Sequence, residues 1–453
     1  MEKRSKSPGR RKFIGDAAAL GLLGAVGGSL GMSGGGLLLS SCSHRGQRYE
    51  MPIMPEIAPD GPLLKAGLIG CGGRGTGAAG NFLNAGPNLQ ITALADVFPE
   101  RVERTREFLK ERHDNDVPEE NCFVGFDAYQ RVIDSGVDLI LEASASYYRP
   151  KHFEAAVRAR KHAFIEKPAG VDPVGARRVM ASGRMAGAAG LSVVAGTQYR
   201  HQHDYVKTHN MVKNGAIGEL ISANAWYNRG GTSFVSRQPG WCDMEAMLRN
   251  RANWIWLTGD APVNLVIHQT DIIHWFFDKY PVRAIGSGGR HHRQTGDMWD
   301  FFSMDFIFDD QKTYHATTRE IDGCTNNINV FIYGTKGYTN CQNRIWDYDG
   351  NVTWEYEYPL DGQGNRMTGV PVSPYDQEII NFITAIRTNN PVNEAETLAS
   401  STIAGIMGRE SAYTGRDVTW EDMMNSDMDL GPKEHRFGPL PDFNPVPPVP
   451  GRS

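Results

Sequence analysis

Residues 64 to 96 read "LKAGLIGCGGRGTGAAGNFLNAGPNLQITALAD", and the reading of this stretch decides the fold. Leu64 to Ile69 is a short apolar run of the kind that forms a buried strand. It feeds Gly70-Cys71-Gly72-Gly73-Arg74-Gly75, then a small-residue segment able to form a helix, then the strand-like run "LQITALAD". Together these parts make a βαβ unit. The glycines let the chain turn sharply and let a pyrophosphate approach the helix N-terminus. Asp96, 21 residues after Gly75, is placed to accept from the adenosine ribose hydroxyls. A glycine run alone is a weak signal, whereas strand, turn, helix, strand and acid in order are a strong one. The acid favours NAD over NADP because a carboxylate repels a 2′-phosphate, and nearby Arg101 and Arg104 keep NADP open.

The alternation continues downstream through "CFVGFDAYQRVIDSG", "VDLILEASAS", a helix from about Lys151 to Arg160, "HAFIEKPAG", a helix around "PVGARRVMASGRMAG", and "LSVVAGTQYR". Strands and helices at this spacing predict a parallel, doubly wound sheet. Ligands of such sheets sit at the carboxyl ends of the strands, which brings Ser144, Lys167 and Tyr199 toward one crevice.

A chain of 453 residues, at roughly 100 to 200 per domain, holds two domains plus appendages. With 40% hydrophobic and 22% charged residues it can bury ordinary cores and has no polytopic membrane character. A net charge of −5 argues against nucleic acid as a ligand, since such binders carry a basic excess to neutralise phosphates. Small molecules are the expected ligands.

Upstream of the fold the chain opens with the basic "MEKRSKSPGRRK", an uncharged glycine-broken run from Ala17 to Ser43, and "LLLSSC" ending at Cys42. That order is a signal peptide. Arg10 and Arg11 before Lys12-Phe13-Ile14 resemble a twin-arginine export signal, and Leu39-Ser40-Ser41-Cys42 resembles a lipobox. The pair implies a periplasmic or cell-envelope lipoprotein, touching membrane only through a lipid on Cys42. It also implies export of a folded protein already loaded with tightly bound cofactor. Five cysteines follow Cys42 without a CxxC pair or zinc-like spacing, leaving a bridge such as Cys324 to Cys341 open.

The expected division is a leader over 1–41, a proline-rich linker over 42–62, a dinucleotide-binding domain over 63–198, an α+β domain over 199–430 and a proline-rich tail over 431–453. Strand-like runs such as "ELISANAWYN", "FFSMDFIF", "KTYHATTRE" and "INVFIYGTKGYTNC" predict a sheet-rich second domain. Within it "VNLVIHQTDIIHWFF" reads as one helix with Asn264, His268 and Asp271 on a single face. Read without further context, these are buried polar residues satisfying one another.

"EKP" at 166–168, taken with "GLIGCGGRG", "ALADVFPERV", "HFEAAVRARKHAFIEKPAG", "GTQYRHQ", "GAIGEL", "HQTD" and "GTKG" in that order, resembles the Gfo/Idh/MocA oxidoreductase family over most of the chain after the leader. The resemblance implies a Rossmann domain followed by an α+β domain with a large open, mostly antiparallel sheet, homo-oligomers (dimer or tetramer) built through that sheet, and a sugar or polyol substrate. It implies cofactor contacts from Gly70, Cys71, Gly72, Gly73, Arg74, Gly75, Asp96, Ser144, His152, Glu166 and Lys167. Lys167 and His268 are the implied catalytic pair, with Tyr199, Asn264 and Asp271 meeting substrate. The chemistry of alcohol oxidation fits that pair: a base takes the hydroxyl proton while a cation stabilises negative charge growing on oxygen.

Many family dehydrogenases carry an aspartate where this chain has Asn264, and an amide cannot offset an imidazolium charge. "WLTGD", "NLVIHQTD", "GSGGRHHR", "REIDGCTNN" and "YGTKG" are also similar to the branch holding NAD-dependent α-N-acetylgalactosaminidases. There oxidation, elimination, hydration and reduction give net hydrolysis with the cofactor regenerated. Three readings follow: an NAD(P)-dependent oxidoreductase acting on a sugar, polyol or glycoside, a redox-neutral glycosidase, and a dinucleotide-holding protein without turnover. No metal is expected. His291 and His292 lack partner carboxylates at ligand spacing and read as a loop lining the sugar site.

Overall fold

The computed structural model describes residues 49–451. The expected signal peptide, Cys42 and the first part of the linker lie outside the described residues.

Six strands form the first sheet: β1 (Leu64–Ile69), β2 (Leu89–Asp96), β3 (Cys122–Val124), β4 (Leu139–Glu142), β5 (His162–Ile165) and β6 (Val193–Ala195). They lie in the order β3-β2-β1-β4-β5-β6, with every neighbouring pair parallel. The order reverses between β1 and β4, which opens a crevice at their carboxyl ends. The flanking helices are α1 (Gly73–Asn84), α2 (Pro99–His113), α3 (Ala128–Asp134), α4 (Arg149–Arg158) and α5 (Pro173–Ala188). Parallel strands covered on both faces read as apolar runs, and β4 buries Leu139, Ile140 and Leu141, with the carboxylate of Glu142 buried at its carboxyl end. The start of α5 is fixed by Pro173 in its first turn and by Asp172, whose side chain accepts from the Gly175 amide.

The second half contributes α6 (His203–Lys213), β7 (Leu220–Arg229), α7 (Asp243–Arg249), α8 (Ile255–Thr258), α9 (Asp260–Asn264) and α10 (Ile267–Phe277). Then come β8 (Arg283–Gly289), β9 (Phe301–Ile307), β10 (Thr313–Glu320), β11 (Asn327–Gly334), β12 (Tyr338–Thr339), β13 (Arg344–Trp346) and β14 (Val352–Glu355). The chain closes with α11 (Pro374–Arg387), α12 (Ala395–Thr414), β15 (Val418–Thr419) and α13 (Trp420–Asn425). Nine of these strands form one sheet in the order β14-β13-β12-β11-β7-β10-β9-β8-β15, antiparallel except where β10 meets β7. β10 buries Tyr314, Ala316, Thr318 and Glu320 on one face and turns the residues between them to the other. That period of two is the signature of a sheet covered on one side. The chain therefore adopts the expected fold class.

One helix crosses the expected division between the domains. α11 sits near residue 380 yet packs Ile379, Ile380, Phe382 and Ile383 into the same apolar cluster as Leu68, Phe82, Leu94 and Leu141 of the first sheet's layer. Arg387 at its end donates to the carbonyls of Pro59 and Pro87. The linker and α11 together cover one face of the parallel sheet. After α13 the tail runs without helix or strand, held by Trp299 Nε1 donating to the Pro448 carbonyl at 3.2 Å. The five described cysteines are free thiols, so the Cys324–Cys341 bridge is not formed. Among the described residues no helix is long and apolar enough to cross a membrane.

Candidate active site

Two clefts adjoin at the switch point. The first is formed by the glycine turn and measures about 790 Å³, open to solvent. Gly70 has φ +98°, and a Cβ there would lie 2.6 Å from the Ser144 nitrogen. A Cβ on Gly75 would lie 1.9 Å from the Gly70 carbonyl oxygen. Above Gly72 and Gly73 the space is open, and no side chain caps the first turn of α1. Unpaired amides at a helix N-terminus with room over them form an anion cradle.

Asp96 at the end of β2 is fixed by two backbone donors, Cys71 N at 2.8 Å and Phe98 N at 3.0 Å. Burial pushes its carboxyl up, against the pull of Arg101 and these amides. Ser144 and His152 border the same cleft, both tied to buried Glu142: the Ser144 amide donates to Glu142 Oε1 at 2.9 Å and His152 Nδ1 lies 3.0 Å from Glu142 Oε2. Cys71 contributes through its amide alone, since its thiol is buried beneath the cleft. Open glycines, free amides and an anchored carboxylate are the donor set that a dinucleotide needs, and the residues present fit one.

The second cleft, about 1050 Å³, lies where β5 ends against the second domain. Lys167, Asn264 and His268 face it together. The expected single helix over 263–277 is broken: α9 stops at Asn264 and α10 starts at Ile267. At the break His268 N donates to Leu265 O at 3.3 Å, one residue short of the α-helical partner. The Asn264 carbonyl, freed from the helix ladder, accepts from Lys167 Nζ at 2.7 Å. The break thus positions the lysine. Burial pushes the Lys167 ammonium down to about 8, with Glu166 opposing and Arg149, Arg251 and Arg74 reinforcing.

His268 is also buried, which drives its imidazole well below the ordinary range, aided by the charges of Lys167 and Arg74. Its Nδ1 is buried without a hydrogen-bond partner. Tyr199 meets the ring edge-on at 5.6 Å and Tyr227 lies nearly parallel to it at 6.4 Å. The arrangement offers a neutral imidazole beside a cation at one cleft, the pair that proton removal from an alcohol requires.

The other expected residues do not all share one cleft. Glu166 and Lys167, expected at the cofactor, line the adjoining cleft. Glu166 accepts from Arg74 Nε and, at 3.1 Å, from the Lys167 amide. Asp271 lines neither of these clefts: it is 1% exposed and is held by Arg200 Nε at 2.7 Å and Ser401 Oγ at 3.1 Å. Three residues along α10 from His268, its carboxylate points into a buried ion pair because a lone buried charge demands one. Tyr199 backs His268 rather than lining the cleft. The His291–His292 loop lines neither cleft, since both amides are drawn onto the Asp300 carboxylate. Among the described residues no cluster of three or more metal-ligating side chains occurs.

Sequence reasoning missed the far walls. Arg74 Nη2 donates to buried Glu378 of α11 at 2.6 Å, under the ring of Tyr375 at 4.5 Å. Glu320, which ties Thr232 Oγ1 at 2.8 Å and Arg293 at 2.6 Å, faces the second cleft. A charged residue at an inward position of a period-two strand was the available signal for Glu320. Nothing local marks Glu378 or Arg251, and Arg251 borders both clefts.

Two family descriptions match the chain: "Oxidoreductase family, NAD-binding Rossmann fold" over residues 64–193 and "GFO/IDH/MocA C-terminal domain" over 205–340. Inositol 2-dehydrogenase of Acidothermus cellulolyticus is 26% identical over 239 residues, 52% of this chain and 60% of that protein. Glycosyl hydrolase family 109 protein 4 of Phocaeicola vulgatus is 24% identical over 335 residues, 69% of this chain and 59% of that protein. The matched stretches thus span 60% and 59% of these relatives' own length. The scyllo-inositol dehydrogenase of Lactobacillus casei, solved with NAD(H) and scyllo-inositol bound, shares the fold at a TM-score of 0.59 and 18% identity, over 79% of this chain and 99% of that one.

Proposed function

Because the chain belongs to the Gfo/Idh/MocA oxidoreductase family, we propose that it is an NAD-dependent enzyme oxidising or reducing a secondary alcohol carbon of a sugar, polyol or glycoside. The observation that carries this reading is the neutral His268 imidazole beside the Lys167 ammonium, both residues lining a cleft that adjoins the glycine turn. A bound nicotinamide supplies the hydride acceptor for the alcohol carbon's C–H electron pair. His268 receives the hydroxyl proton. Lys167, held on the Asn264 carbonyl, donates a hydrogen bond to the substrate oxygen and steadies its developing charge. Burial of Lys167 and His268 lowers the local dielectric and strengthens that interaction.

A second reading is favoured by one residue. Asn264 offers an amide beside His268 where an acid would stabilise an imidazolium, so the proton is held loosely and handed back readily. That suits a cycle in which a sugar carbon is oxidised, the aglycone eliminated, water added and the carbon reduced, for net hydrolysis.

Protein purified without added nucleotide separates these readings when it is denatured, its released dinucleotide identified, and untreated enzyme assayed on nitrophenyl glycosides without cofactor. Released NAD(H) with sugar or polyol redox alone supports net oxidoreduction. Cleavage without net reduction moves the assignment to the glycosidase. Protein that neither carries nor takes up dinucleotide overturns both.

We further propose export by the twin-arginine route and a lipid on Cys42, supported by Arg10-Arg11 and Leu39-Ser40-Ser41-Cys42. Metabolic labelling with a fatty acid, lost in Cys42→Ala, tests the lipid. Homo-oligomers through the open sheet are supported by its aromatic face, where Trp226 meets Phe331 and Tyr338 stacks on Trp346. Sedimentation velocity gives the subunit number.

A further inference from the structure

Three aromatic side chains line the cofactor cleft at successive strand ends: Phe98 after β2, Phe126 after β3 and Tyr148 before α4. Behind each stands a residue of the C-terminal tail. The ring of Phe437 lies 5.6 Å from Phe98 and 5.3 Å from Phe126. His435 meets Tyr148 edge-on at 5.4 Å, with its Nδ1 3.3 Å from the Tyr148 hydroxyl.

The tail is tied down on either side of these two residues. Upstream, the Tyr147 hydroxyl donates to Asp429 at 3.0 Å, and Gly431 runs so close that a Cβ there would fall 2.0 Å from the Tyr147 ring. Downstream, Met244 N donates to Gly438 O at 3.3 Å and Leu440 N to Asp243 at 3.0 Å, fastening the tail to α7. α7 grips the same wall, with Arg249 stacked 4.1 Å over the Phe98 ring and paired to Glu100 at 2.7 Å. An extended segment loses backbone entropy on every residue it orders, so contacts this regular have to offset that loss. Phe437 is 42% exposed and completes no core. Its contacts are with the cleft wall.

We propose that the tail from Asp429 to Phe443 is a working part of the cofactor site, with His435 and Phe437 as positioning residues that brace the aromatic wall and set how slowly a bound dinucleotide leaves. This rests on the reading of the cleft as a dinucleotide site. Phe98, Phe126 and Tyr148 form the aromatic wall of the cleft, and Phe437 and His435 pack against these rings, so the tail holds that wall against a departing dinucleotide. The enzyme thereby keeps its cofactor through successive turnovers.

The test uses the full chain loaded with NADH and chased with excess NAD, with release followed by nicotinamide fluorescence. Phe437→Ala and His435→Ala release NADH about tenfold faster, the scale on which a single aromatic pair raises the barrier. Phe437→Tyr restores slow release, and Val446→Ala, a tail change at a residue 67% exposed, leaves it unaltered. Dinucleotide content after gel filtration falls in the two alanine variants and stays at the parent's level in Val446→Ala. Equal release rates in Phe437→Ala and the parent protein overturn the proposal, as does the same acceleration in Val446→Ala. Failure of every variant and the parent to take up any dinucleotide overturns the cleft reading itself and this inference with it.

Discussion

The two adjoining clefts are made of different materials. The cofactor cleft is made chiefly of backbone: Gly70, Gly72, Gly73 and Gly75, the free amides of α1, and one carboxylate anchored by two further amides. Nearly all of it comes from a single βαβ unit. The second cleft is made of side chains drawn from the chain just after β5, from β7, α9 and α10, from the end of β10 and from the start of α11. Its cations stand in low dielectric, where each charge shifts its neighbours. A backbone-built site binds what any chain of that shape would bind, whereas a side-chain-built site sets what is done to it.

The contrast breaks first at Lys167. Lys167→Met should lower turnover by about 10³-fold while the dinucleotide recovered on denaturation stays the same. An equal loss of both would merge the two sites into one. In the parent protein the ammonium is pushed down to about 8, so it loses its proton as pH rises through that value and kcat/KM should fall above pH 8. His268 is held well below its ordinary range and stays neutral as the pH falls toward 6.5. The folded lysine binds fewer protons than the unfolded one between pH 8 and about 10.4. Stability therefore rises with pH across that window, and thermal unfolding of Lys167→Met should lack the rise.

Gly75→Val is the converse. Its first added carbon meets the Gly70 carbonyl, so we expect bound dinucleotide to disappear and stability to drop by about 1–3 kcal/mol, read by gel filtration and thermal melts. Asp96→Ser should weaken NAD by about tenfold or somewhat more and let Arg101, 3.9 Å from the carboxylate, admit NADP. Titration with both nucleotides checks the exchange. The smallest effect belongs to Asn264→Asp, which sets a carboxylate beside the imidazole. The acidic limb of kcat/KM should move up by about one pH unit, and a pH profile of the variant will show it.

The same contrast explains what was legible in the sequence. The glycine turn and Asp96 could be read because their spacing is dictated by one local motif, and Lys167 because a strand end carried it. The open sheet was legible from period-two runs such as "KTYHATTRE". The break between Asn264 and Ile267 was not, because apolar periodicity continues through it and the lysine that takes the freed carbonyl lies 97 residues earlier. Asp271 kept its expected place on α10, yet its partner Arg200 comes from another segment, so its inward turn was invisible. Glu378 was hidden for the same reason, 304 residues from Arg74.

That separation also orders events in time. The face of the parallel sheet that carries α1 is covered by α11, and Asn81 of α1 donates to Asp376, 295 residues downstream. At about 5–20 residues per second of synthesis, the glycine turn waits roughly 15–60 seconds for the helix that covers it. During that interval Phe82 and Leu68 have no permanent cover, and a chaperone able to shield them would decide the yield of folded protein. The nucleotide-binding half, first to be made, is among the last parts to be finished.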